Sequence, residues 1–359
     1  MTPNEFQGRM IAAQKRIEKK KRCLHYDAGE ICNQYIGAHS IQNNGQLSAI
    51  SEDGHVYMLD EYYTDLVKNQ GKLGFSTVGV KKASTFYGFC GKHDNELFKP
   101  IEENPLKPSD EQIALHLYRC VCKETYEKEN SLELANEILR FPVLEQEILT
   151  SYKLFAHGTQ LGLDRIRYHK GIIEQDLKKN DFSKFSAITF FMNGEQFMCF
   201  SGITMPTHDY YGIELQDLSE DAPLDQLAVF TAPSTAGWTI SFAWHDDHCQ
   251  SNLKLINSMK SLYKDGTSFS TLISRLLFTC MENYALKISW FDSKPKILKD
   301  EITETFTKVM SPFEPIQTDV LRKGFEDSNF FDVINVSETN LKKHYRKPSI
   351  MDRLRSFFA

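Results

Sequence analysis

The alternation of apolar and polar positions divides the chain into three stretches. Over residues 4–22, Phe6, Met10, Ile11, Ala13 and Ile17 form an apolar stripe at helical spacing, with basic residues elsewhere, and predict a helix. YIGAHSIQ, residues 35–42, then reads as a strand, Asn43-Asn44-Gly45 as a turn, and Gln46 to Ser51 as the return strand. Asp53-Gly54 marks another tight turn before the apolar HVYML, and Val78 to Val80 reads as a short strand. At Ser84-Thr85 the pattern turns helical and places Cys90, His93, Asp94 and Phe98 on adjacent turns.

Pro105 and Pro108 break this first stretch from a helical one. Ser109 with Gln112 fits a capping box, and Ile113, Leu117, Cys120, Val121 and Tyr126 follow at helical spacing. A short helix at Leu132 to Leu139 stops before Pro142, and one long helix is predicted from Val143 to Lys179. From Ser183 the period changes to two. SAITFFMNGEQFMCFSGI reads as a hairpin turning at Asn193-Gly194, with further strands at Tyr211 to Leu215, Gln226 to Thr231 and Trp238 to Trp244. Helices at 249–263 and 267–284 follow, then one at Ile297 to Met310. The expected organisation is α+β, with a module at 1–104, a helical region at 105–182 and an α+β domain at 183–359.

Composition narrows the class. The 359 residues are 41% hydrophobic, 12% aromatic and 25% charged, as in an ordinary folded protein with a sizeable core. No apolar run approaches the length of a membrane span, and the first residues lack an apolar signal-peptide core. A cytoplasmic location without membrane contact is expected. The eight cysteines form no dense framework, so metal ligands or core thiols are expected rather than disulfides. Net charge is −6, yet Arg9, Lys15, Arg16, Lys19, Lys20, Lys21 and Arg22 meet only Glu5 and Glu18 in the same stretch. Such an arm suits phosphate as a partner or is simply a solvated helix face.

The candidate chemistry is soft. Cys23 and Cys32 flank a polar loop, and Cys90 and His93 stand three residues apart, so one helical turn aims both at a common centre. Thiolate and imidazole are the ligands of a tetrahedral structural zinc, and a closed site takes four. The alternative is two buried free cysteines beside an unrelated Cys-His pair. Between the clusters, His39 lies on the predicted strand.

The order of knuckle, hairpin bearing a histidine, and helix opening on Cys90-Gly91-Lys92-His93-Asp94 resembles the treble-clef HNH nucleases, the ββα-metal group, over residues 20–105. The resemblance implies that Cys23, Cys32, Cys90 and His93 hold structural Zn2+. It implies that His39 is the general base, and that Asp94 holds a catalytic divalent cation, Mg2+ or Mn2+. The function it implies is metal-dependent hydrolysis of nucleic-acid phosphodiesters, with the rest of the chain regulating the cut, recognising a trigger or mediating assembly, as would suit a prokaryotic defence effector. The alternative is a non-catalytic zinc module that binds nucleic acid or a protein partner, including a second copy. Three departures stand out: the first ligand pair is not Cys-x-x-Cys, the usual helix histidine is replaced by Asp94, and no middle asparagine stands out among Asn43, Asn44 and Asn95.

Other candidates are weighed against structural roles. Cys120 and Cys122, two apart, cannot share a helix face and are expected to be core thiols. His245-Asp246-Asp247-His248-Cys249 offers metal ligands or a small-molecule site but reads better as a loop capping the next helix. Trp238, Trp244 and Trp290 are core residues or stacking surfaces. Lys342, Lys343, Arg346 and Lys347 form a basic cluster before an amphipathic segment at Ile350 to Phe358. There is no Walker loop, dinucleotide glycine pattern or Gly-x-Ser-x-Gly elbow.

Overall fold

The structure, a computed structural model, describes residues 2–59, 73–142, 146–309, 318–326 and 330–341. The C-terminal basic cluster and amphipathic segment lie outside these residues. In chain order the elements are α1 (Pro3–Ile17), β1 (Tyr35–His39), β2 (His55–Leu59), β3 (Phe75–Gly79), β4 (Thr85–Cys90), α2 (Gly91–Glu102), α3 (Asp110–Ile138) and α4 (Gln146–Lys178). There follow β5 (Phe185–Met192), β6 (Met198–Thr204), β7 (Leu227–Ser234), β8 (Gly237–His245), α5 (Gln250–Lys264) and α6 (Phe269–Cys280). The last are β9 (Tyr284–Leu286), α7 (Ile288–Asp292), α8 (Lys296–Val309) and β10 (Val333–Thr339).

Among the described residues, eight strands form one antiparallel sheet in the order β10-β5-β8-β7-β6-β9-β2-β3, and β1 pairs with β4 in a separate ribbon. The chain is thus α+β, as its pattern predicts. The central strands are covered on both faces, which explains their near-continuous apolar runs. One face of β5, β7 and β8 carries Ile188, Phe190, Val229, Ile240, Phe242 and Trp244 against α5 and α6. The other carries Ala187, Ala228, Ala232 and Ala243, with Phe185 and Phe230, against α3. Four alanines on that face let α3 lie close to the sheet.

α3 is the central helix. Ser109 caps it by accepting a hydrogen bond from the Gln112 amide at 3.2 Å. Every residue from Gln112 to Cys122 is buried, because α2, α4, β4 and the sheet surround the first three turns. A helix enclosed on all sides shows little amphipathic period. Cys120 and Cys122 both fall in this enclosed stretch as core thiols, pushed up to about 11 and about 12 by burial. Trp238 and Trp244 are core residues as well, while Trp290 is partly exposed.

Two strand pairings differ from the sequence reading. The partner of β1 is β4, with Tyr35 opposite Cys90 and His39 opposite Thr85, and residues 40–84 intervene. Asn43-Asn44-Gly45 does turn, with Gly45 at φ 89°, but it leads into a single helical turn, Ser48–Ile50, instead of a return strand. Gln46 and Leu47 are buried there, and the Thr231 hydroxyl on β7 donates to Gln46 Oε1 at 2.6 Å. Likewise Asn193-Gly194 does not close a hairpin. β5 pairs with β8 and β10, while β6 lies beside β7 and β9. Tyr211 to Leu215 is a loop held by Asp209 Oδ1, which accepts from the amides of Tyr211 and Ile213 at 2.8 and 2.9 Å.

The intervening residues 40–84 anchor the β1–β4 ribbon to the large sheet. β2 pairs with β9, and Asn283 Nδ2 donates to Ser40 Oγ at 2.8 Å and to the Ser201 carbonyl at 2.7 Å. Ser40 Oγ in turn bonds Ser84 Oγ at 2.5 Å, and Ser84 takes a left-handed φ of 57°. Asn283→Ala removes one donor from two acceptors at this junction and should lower stability by about 1–3 kcal/mol. Urea unfolding of the purified protein measures this, and a loss within experimental error would show the junction to be dispensable.

Candidate metal centre

Four side chains meet where the N-terminal segment, the β1–β4 ribbon and α2 join. After α1, the chain runs beside β4, with the amides of Arg22 and Leu24 donating to the carbonyls of Tyr87 and Gly88 at 3.1 and 2.8 Å. This places Cys23 next to the end of β4. Residues 25–32 then turn back on themselves, the Ala28 amide donating to the His25 carbonyl and the Cys32 amide to the Gly29 carbonyl, both at 3.0 Å. Cys32 is thereby returned to the same point. Asn33 Oδ1 accepts from the Lys92 amide and the Gln34 carbonyl from the Gly91 amide, both at 2.9 Å, which fastens this loop to the first turn of α2. Cys90 ends β4 and caps α2, its Sγ accepting the His93 amide at 3.5 Å.

Around His93 Nδ1, the sulfurs of Cys23, Cys90 and Cys32 stand at 3.3, 3.4 and 3.6 Å. All four ligand atoms lie within 4.8 Å of one another, and none of the cysteines is in a disulfide. With Zn–S near 2.3 Å and Zn–N near 2.05 Å, a regular tetrahedron has an S···N edge of roughly 3.5 Å. The Cys3His geometry therefore fits a closed structural Zn2+ site made of the four predicted residues. The His25 ring stacks flat on His93 at 4.0 Å and covers it. Burial pushes the Cys23 thiol up to about 11. At Cys90 burial acts in the same sense, but hydrogen bonds from the backbone of His93 and Asn33 and from the Cys32 and Cys23 side chains outweigh it and hold the thiol below its ordinary value. Bound Zn2+ would supply the remaining driving force for thiolate.

His39 lies at the end of β1. Its Nε2 is 3.1 Å from the Val80 carbonyl, so Nε2 carries the proton and Nδ1 keeps its lone pair. Burial lowers the His39 pKa, with the Arg119 charge adding to the effect; the Val80 carbonyl and Glu102 oppose it. Asp94 follows the ligand His93 in the first turn of α2. Burial raises its pKa, Arg119 lowers it, and Glu102 raises it. The Asp94 carboxylate is half-buried and has no hydrogen-bond or ion-pair partner among the described residues. No direct bond joins His39 and Asp94: His39 stands opposite Thr85, at the end of the ribbon away from Cys90, whereas Asp94 stands in the first turn of α2 just after Cys90.

Glu102 and Arg119 were missed in the sequence. Arg119 is 3% exposed, forms an ion pair with Glu102 at the end of α2, and has its guanidinium 4.2 Å over the Phe98 ring. The available signal was an arginine inside the apolar run IALHLYRCVC, since a buried charge is informative where an exposed one is not.

The remaining candidates have structural partners. In the basic arm, Arg16, Lys20 and Arg22 pair with Glu137, Glu133 and Glu129, a stripe along α3. His245 Nε2 is 3.0 Å from Asp176 Oδ2 on α4, and its Nδ1 accepts the Asp247 amide at 3.3 Å. His248 Nε2 meets the Tyr168 hydroxyl at 3.0 Å, and Cys249 is buried at the start of α5. These contacts pin β8 to α4. Among the described residues, no group of three or more His, Cys, Asp or Glu side chains besides the Cys3His cluster converges as metal ligands do.

Protein purified without chelator should carry one zinc per chain by elemental analysis. Cys90→Ser should lose the metal and much of its thermal stability, because Cys90 is ligand, strand end and helix cap at once. Zinc should also be released as pH falls, since protons compete for the thiolates. Zinc content unchanged in Cys90→Ser would remove Cys90 from the ligand set. Comparison of this chain with family models, with curated proteins and with solved structures returns no match, so the centre stands on its own geometry.

Proposed function

We propose that the module built on the Cys3His centre is a divalent-metal-dependent nuclease site, with His39 as general base and Asp94 as metal ligand. The observation that carries this reading is the unpaired, half-buried carboxylate of Asp94, one residue from a zinc ligand. Its oxygens are not sealed from solvent, so a cation can reach them without breaking an existing bond. A carboxylate is a hard oxygen donor suited to Mg2+ or Mn2+, which bind through one or two carboxylates plus substrate phosphate and water. When bound, such a cation supplies charge stabilisation to the phosphate and the leaving oxygen.

The protein's own residues do the rest. The zinc cluster fixes the start of α2, and so Asp94, against the β1–β4 ribbon that carries His39. The Val80 carbonyl holds the His39 ring in the tautomer whose Nδ1 accepts a proton from the attacking water. Burial keeps the imidazole neutral at pH 7, ready to take that proton. A second reading, a zinc module that binds nucleic acid or a partner without cutting, is favoured by the same Val80 bond, which would equally hold a structural histidine.

Cleavage of duplex DNA and of single-stranded RNA with Mg2+ or Mn2+ separates the two. Wild type should cut at least one of them. His39→Ala and Asp94→Ala, folded and zinc-loaded, should each lose about 10²-fold or more. Cleavage unchanged in both variants would remove the chemistry from this module, and the absence of cutting by purified wild type would favour the binding reading.

The pH profile gives an independent check. The His39 pKa lies below its ordinary value of 6.5, so the rate should rise with pH through that lowered value and be flat above about pH 6.5. The stability linkage has the same sign. The unfolded chain binds this proton more readily, so the contribution of His39 is present above the ordinary pKa and is lost as pH falls. An acid limb that persists unchanged in His39→Ala would exclude His39 as its source.

A further inference from the structure

We propose that Arg119 is an anion clamp beside His39 and Asp94, and that Glu102 occupies it as a stand-in for a substrate phosphate. The identity of that phosphate as nucleic acid rests on the nuclease reading; the clamp itself does not.

Arg119 is almost fully buried, yet its donors are under-used. Nη1 meets Glu102 Oε1, while Nε is buried without an acceptor among the described residues. A buried donor left open is costly, so a purely structural arginine would normally be better satisfied. The Phe98 ring supports one face of the guanidinium and fixes its plane. A fixed, planar fork is the geometry that accepts carboxylate or phosphate through two parallel bonds.

Glu102 is an exchangeable occupant. Its side chain is 37% exposed, so the carboxylate can swing into solvent without moving the core. It is the last residue of α2, where the partial negative charge of the helix end disfavours an anion. Gln42 Nε2 donates to the Glu102 carbonyl at 2.9 Å, so the backbone stays fixed while the side chain leaves. Gln42 follows His39 by three residues, which ties the clamp to the end of β1. A phosphate that replaced Glu102 on Arg119 would bring more acceptor oxygens to the fork than one side-chain carboxylate.

The test compares wild type with Glu102→Gln, Arg119→Lys and the double variant Glu102→Gln/Arg119→Gln, each checked for fold and zinc content. Fluorescein-labelled duplex DNA and single-stranded RNA are titrated in separate arms, with Ca2+ in place of Mg2+ to suppress cutting. Glu102→Gln should bind at least one probe about tenfold more tightly, and the gain should vanish in the double variant. Arg119→Lys should bind more weakly, because a lysine cannot reproduce the fork. Oligonucleotide binding that is unchanged or weaker in folded Glu102→Gln overturns the clamp and leaves the nuclease reading standing.

A third arm follows melting temperature against inorganic phosphate. If no variant binds either oligonucleotide, the nucleic-acid reading falls and this arm decides the clamp alone. A phosphate-dependent rise larger in Glu102→Gln than in wild type, and absent from the double variant, upholds it. Equal responses in all three overturn it.

Discussion

A two-stranded ribbon is marginal by itself, and the β1–β4 pair is the ribbon on which the candidate site is built. Two contacts at its open end make it a fixed platform. Cys90 terminates β4, caps α2 and donates its sulfur to the Cys3His cluster, so strand end, helix start and metal geometry are set at one residue. The Gly91 amide on the Gln34 carbonyl and the Lys92 amide on Asn33 Oδ1 hold the start of β1 to the same turn. A metal bound tetrahedrally at this point would tie segments that lie far apart in sequence, which is where a metal link gains most from loop closure.

The platform then depends on α3. Its enclosed turns contact α2 and β4 on one side and the alanine-lined face of the large sheet on the other. Burial on all sides leaves few ways to place polar groups, and each one present has a reason in its contacts. Gln112 donates to the Pro100 carbonyl at 3.1 Å and so closes the α2–α3 connection. His116 stacks on Phe230 at 4.5 Å and is held neutral by burial, its pKa pushed down to about 3. Arg119 is the exception, with a charge facing the site and a donor left over. The central helix thus supports the Cys3His cluster and places a buried guanidinium at the end of α2.

Much of this was legible in the sequence, and the limits were physical. The four ligands could be read because Cys90 and His93 stand one helical turn apart and the residue types suit one metal. The α+β class followed from helical stretches before Ser183 and period-two stretches after it. The strand partners were not readable, because turn signals are local and register is decided by burial on two faces. Asn193-Gly194 has the composition of a hairpin turn, yet β8 and β10 take the two sides of β5. Asn43-Asn44-Gly45 turns as expected, but Gln46 and Leu47 then insert against β7. Spacing did not point to Arg119 for a related reason, since a residue in an enclosed helix has no face that its period reveals; the only signal was a charge within an apolar run.

The distribution of charge bears on how such a site would hold a polyanion. A net charge of −6 gives no general attraction to phosphate, and three of the cations of the N-terminal arm, Arg16, Lys20 and Arg22, are paired with glutamates of α3. Under the proposed function, affinity must then arise near the reacting atoms and not along an extended basic track. That places unusual weight on the few cationic donors at the site, a guanidinium from α3 and a divalent ion on Asp94. It also gives a carboxylate such as Glu102 a purpose. Under the clamp proposal, Glu102 would keep Arg119 closed to small ions, and a phosphate reaching Asp94 and Arg119 together would gain from both.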